Sequence, residues 1–157
     1  MFFLWLSMGA VYVYAIKFVI MGNPSYALVQ RAPPVLLQQV VVCLEQERIP
    51  DDERVYRFMQ LFFRLSLLTV LLLVIEFSVI FYFLVTYPSN WLAWGLFGKN
   101  VGLLIVGFRQ HQASEEENVI DTIRMMPVWI IRWERIGYLI TAVGFIGLFY
   151  LANQTPA

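Results

Sequence analysis

The stretch from Leu65 to Tyr87 is apolar except for Ser66, Thr69, Ser78, Thr86 and a single acid, Glu76. At 1.5 Å per residue, a helix of that length crosses a hydrocarbon core of roughly 30 Å. Tyr87-Pro-Ser-Asn90 then ends it, because proline cannot continue a helix and Ser and Asn favour turns. A second apolar run follows from Trp91 to about Phe108, with Lys99 and Asn100 near its middle. The pair is a helical hairpin in a bilayer, and its acid and base lie at similar depth on antiparallel helices. A charge inside a membrane costs at least several kcal/mol and marks a functional position by default.

Composition agrees with a membrane class. The chain is 60% hydrophobic and 14% charged, against about a quarter charged in soluble domains. Eleven basic and eleven acidic residues balance, which gives no basic footprint for nucleic acid. The one cysteine, Cys43, excludes an internal disulfide or a CxxC site. With one histidine, His111, the chain encodes no bis-histidine haem or structural zinc site. No HExxH, GxSxG, P-loop or GxGxxG occurs. The sequence therefore predicts no enzyme and encodes no cofactor, with His111 as a weak candidate pigment or haem ligand.

Met1 to Met21 is apolar up to Lys17, and its base sits at the far end rather than at the start, unlike a signal peptide. It reads as an uncleaved first span ended by Asn23-Pro24-Ser25, with Lys17 snorkelling to the interface. In the long segment that follows, Val35 to Glu47 places Leu36, Leu37, Val40, Val41 and Leu44 on one helical face, an amphipathic helix whose polar face is not basic. Asp51-Asp52-Glu53 is a helix start, so one long helix is expected from about Asp52 to Tyr87. Arg57 and Arg64, seven apart, share its face. A last span is expected over about 136–151, with Gly137, Thr141 and Gly144 on one close-packing face.

These readings make the fold an all-α integral membrane protein of one domain, residues 1–157. Its four transmembrane helices lie at about 2–21, 65–87, 91–108 and 136–151, and an amphipathic cytoplasmic helix lies between the first two. Every arginine falls between Arg31 and Arg64 or between Arg109 and Arg135, in or beside the loops of about 23–60 and 109–135. The positive-inside rule puts both loops in the cytoplasm and both termini on the other side. Trp5, Trp91 and Trp94 then mark the outer interface, and Trp129 and Trp133 the inner one. Glu115, Glu116 and Glu117 read as a solvated acidic surface.

Three roles compete for Glu76, Lys99 and Asn100. They form a buried ion pair that fixes helix register, a proton- or ion-handling site, or a contact to a bound cofactor, lipid or quinone. Gly95, Gly98 and Gly102 form a small-residue face on the same helix as Lys99, expected to allow close helix approach. Leu37, Val41, Leu44, Arg57 and Arg64 are the expected partner-docking residues. The leading function is a non-catalytic accessory or scaffold subunit of a larger membrane complex, such as a respiratory or photosynthetic one, with other membrane subunits and lipid as partners. The alternative is a small proton- or ion-coupled carrier or channel using Glu76 and Lys99.

Overall fold

The computed structural model describes residues 2–113 and 128–154, except for the side chains of 106–113, 128, 130 and 154. All regular structure among the described residues is helical: α1 Phe2–Met21, α2 Pro24–Arg31, α3 Pro34–Glu45, α4 Glu53–Thr86, α5 Trp91–Ala113 and α6 Val128–Gln154. Three segments are long and apolar enough to cross a membrane, Phe2–Arg31, Glu53–Thr86 and Ile131–Asn153; Trp91–Ile105 of α5 is a shorter apolar helix.

Helices α1, α4, α5 and α6 close a four-membered ring in which α1 packs on α4 and α6, and α5 packs on the same two. Neighbours run antiparallel. Trp5 meets the Phe149 ring near one end of α1 and α6, and Asn23 meets Glu134 at the other. The start of α1, the Tyr87–Asn90 turn and the close of α6 thus share one end of the bundle, here the turn end. Helices α2 and α3 sit at the opposite end against the first half of α4.

Local chemistry sets the breaks. Gly22 adopts φ +74°, and a Cβ there would lie 3.2 Å from the Arg135 guanidinium. A side chain would be doubly disfavoured, by backbone conformation and by space. Asn23 then caps α2, its Oδ1 accepting from the Ser25 backbone N–H at 3.0 Å with Pro24 at the first helical position. The residues read from sequence as a stop are therefore also a start. Asp52 caps α4 in the same way, accepting from Arg54 N–H at 2.8 Å. Asn90 opens α5, accepting from the N–H groups of Leu92 and Ala93.

Two cores result. The larger lies inside the ring toward the turn end and is built from Met8, Val11, Val79, Ile80, Phe83, Ala93, Leu96, Phe145 and Leu148. The smaller joins Val29, Leu37 and Val40 of the short helices to Val55 of α4. α6 begins well before the span expected from hydropathy. Glu134-Arg135 interrupts the apolar pattern without interrupting the helix: Asn23 donates to Glu134, and Arg135 is exposed beside the Gly22 turn. Trp129 and Trp133 consequently belong to α6, with both rings exposed.

Candidate functional site

Midway along the ring, two helices bring polar side chains to a carboxylate on a third. Glu76 Oε1 accepts from Lys99 Nζ at 2.9 Å, from Asn100 Nδ2 at 3.0 Å and from Thr141 Oγ1 at 3.0 Å. Lys99 Nζ also donates to Thr141 Oγ1, and that hydroxyl lies 3.2 Å from the Gly137 carbonyl of its own helix. Glu76, Asn100 and Thr141 are buried, and the Lys99 side chain is 11% exposed. A threonine hydroxyl carries one proton, so it accepts from the ammonium while donating to the carboxylate or back to Gly137. The charge on Glu76 is thereby met by an ammonium, an amide and a hydroxyl from two different helices. Among the described residues, no buried side-chain nitrogen or oxygen lacks a partner.

The sequence places these groups at the right depth because α4 and α5 leave a short turn in opposite directions. Thr141 arrives through α6, whose small residues admit the large side chains of α5. A Cβ on Gly144 would meet the Leu96 side chain at 2.7 Å, one on Gly147 the Leu92 side chain at 2.5 Å, and one on Gly137 the Leu103 side chain at 3.2 Å. Leu92, Leu96, Lys99 and Leu103 descend α5 as knobs; Gly147, Gly144, Thr141 and Gly137 take them in antiparallel order. Lys99 is the one polar knob, and it enters at the Thr141 hydroxyl of α6.

A second polar layer lies toward the α2–α3 end. Tyr14 and Tyr138 hydroxyls are 3.1 Å apart, and Phe18 packs on both rings. Asn23 Nδ2 donates to Glu134 Oε1 at 3.2 Å, and the Ser25 and Ser66 hydroxyls lie 3.4 Å apart. Glu134, Tyr138 and Thr141 recur on one face of α6 at helical spacing, so polar groups line the ring interior from that end to Glu76.

The chain matches no protein-family model, no curated protein and no solved structure. Its chemistry must be argued from these residues.

Of the residues singled out in the sequence, Glu76, Lys99 and Asn100 come together, and Gly137, Thr141 and Gly144 form the α6 face against α5. The α5 glycines do not. Gly95, Gly98 and Gly102 are exposed, and a Cβ on any of them would meet nothing within 4 Å. They point away from the ring because Ala93, Leu96 and Asn100 occupy its interior from the opposite face of α5. Leu37 is buried against Val29, Val40 and Val55 of its own chain, so it serves the small core and is closed to a partner. Val41 is half-buried beside that core and Leu44 is exposed. Arg57 pairs with Glu53 one turn earlier on α4, both exposed; Arg64 is exposed. His111 lies in the last turns of α5, but its side chain falls outside the described residues, as does the Glu115–Glu117 run.

Sequence reasoning missed Tyr14, Tyr138, Asn23, Glu134 and Gly147. Asn23 carried a usable signal, since Asn-Pro-Ser is a cap followed by proline at the first helical position. The two tyrosines carried none, because each alone is an ordinary aromatic residue of a membrane helix.

Proposed function

We propose that this chain is a non-catalytic accessory or scaffold subunit of a larger membrane complex. In this reading α1, α4, α5 and α6 each cross the bilayer. Both termini lie on the non-cytoplasmic side, and α2, α3 and the start of α4 stand in the cytoplasm. The arginine distribution supports that orientation, and the antiparallel ring supports an even number of crossings.

The observation that carries the subunit role is apolar surface outside the proposed spans. Val35 and Val42, seven apart on one face of α3, are 66% and 46% exposed, and Ile49 just beyond is 82% exposed. Large apolar side chains grouped on a water-facing region mark a protein or membrane contact. The test is co-purification of a tagged chain in mild detergent. Changing Val35, Val42 and Ile49 together to serine is expected to release the partner proteins while the chain still inserts. Unchanged co-purification moves docking into the bilayer, and isolation as a homo-oligomer alone rejects the subunit role. Orientation is tested separately in a Cys43→Ser background. Impermeant labelling from outside is expected at a cysteine placed at Ser89 and not at one placed at Glu116.

A second reading, a proton- or ion-coupled carrier, is supported by the polar line from Glu134 through Tyr138 and Thr141 to Glu76. The apolar packing beyond Glu76 weighs against it, since Phe83, Leu96, Phe145 and Leu148 offer no polar continuation to the turn end. Proton flux in vesicles that vanishes in Glu76→Gln would favour the carrier.

A further inference from the structure

A cleft of about 620 Å³ opens between α1 and the middle of α4, lined among others by Trp5, Gly9, Val13, Lys17, Leu68 and Leu72. We infer that it holds one acyl chain of an anionic phospholipid, with the headgroup on Lys17. The inference rests on the membrane placement of α1 and α4 and is independent of the subunit role.

Shape argues for a chain. Trp5 and Lys17 are twelve residues apart on α1, about 18 Å of helix, so the opening is elongated along the span. Small residues keep it open: Gly9, where an added Cβ would meet nothing within 4 Å, and Ala10 beside it.

Charge argues for an anion. Of the polar groups lining the cleft, the Thr69 hydroxyl donates to the Leu65 carbonyl of its own helix at 2.9 Å, and the Tyr14 hydroxyl is engaged by Tyr138. Lys17 is exposed and makes no hydrogen bond or ion pair among the described residues. A cation on a lipid-facing helix is stabilised by an anion or by reaching the headgroup level. A phospholipid phosphate above an apolar tail supplies both.

The full chain is released from nanodiscs containing equal parts phosphatidylglycerol and phosphatidylcholine, and its retained lipid is read by native mass spectrometry. Wild type is expected to keep one phosphatidylglycerol in several-fold excess over phosphatidylcholine. Lys17→Gln should lose that preference, and Lys17→Arg should retain it. Gly9→Leu should lose retained lipid of either kind with an unchanged melting temperature; if that variant is unstable, Ala10→Leu replaces it. Equal retention of the two lipids by wild type, an undiminished preference in Lys17→Gln, or undiminished lipid in a folded cleft-filling variant overturns the inference. A retained free fatty acid in place of phospholipid also overturns it. Release of the chain from membranes by alkaline carbonate would instead reject the membrane placement itself.

Discussion

Either side of Glu76, the same four helices are joined by different means. Toward the turn end the interior is wholly apolar, with Met8, Ile80, Phe83, Leu96, Phe145 and Leu148 interlocking. Toward the α2–α3 end it is stitched by hydroxyls, an amide and two carboxylates. In a bilayer, lipid tails are as apolar as leucine, so burial alone does not hold helices together. The apolar half must rely on shape, which is why Leu96 sits where Gly144 leaves room. The polar half relies on partners, because an unpaired polar group in hydrocarbon costs several kcal/mol. One half is therefore sensitive to volume and the other to hydrogen-bond count.

The sharpest way to break that contrast is at the boundary. Lys99→Met leaves the Glu76 charge without its ammonium, and loss of one partner of a buried pair typically costs about 3–5 kcal/mol. Folded protein recovered from membranes should fall steeply in this variant. Glu76→Gln combined with Lys99→Met removes both charges and should recover much of the loss, since replacing a whole buried pair is often neutral. Simple addition of the two single effects would mean that the residues do not interact.

Volume is tested next. Gly144→Ala forces a methyl into the Leu96 side chain and should destabilise by about 1–3 kcal/mol, read as a lower melting temperature in detergent. Leu96→Ala in the same chain should return part of it by making space. Gly147→Ala should cost less, because Leu92 is only half-buried and can swing aside. Asn23→Ala should cost about 0.5–2 kcal/mol from the lost α2 cap, with a further loss as Glu134 gives up its amide donor. The smallest effect is expected at Gly98→Ala, within about 0.5 kcal/mol, because nothing surrounds that position in the chain. A larger loss of stability in membranes than in detergent would show that another helix covers the α5 glycines.

The boundary was legible in the sequence and the two halves were not, for physical reasons. Glu76 and Lys99 stand out because each is a lone charge in an apolar run, and the short turn between them fixes their relative depth. Spacing also identified Gly137, Thr141 and Gly144 as a face. It could not decide between that face and Gly95, Gly98 and Gly102, since both have the small-residue pattern. Which one turns inward depends on where Leu96 and Asn100 point, a tertiary fact. The hidden start of α6 has a similar cause. Hydropathy reads Glu134-Arg135 as the end of a span, whereas Asn23, more than a hundred residues away, donates to Glu134, and Arg135 stays exposed beside Gly22. Tyr14 and Tyr138 pair across a separation of 124 residues, beyond any local pattern.

Helix α4 passes through both cores without interruption. Its 34 residues span about 51 Å, well beyond the roughly 30 Å hydrocarbon thickness. It contains neither proline nor glycine, the usual sites of a kink. Val55, in the small core, and Glu76 thus ride on one stiff rod about 32 Å apart. Its far end is fixed by the packing of Phe83 in the larger core. The small core and the buried carboxylate therefore share one continuous element, so a displacement of the α3 end is carried along the same helix that holds Glu76.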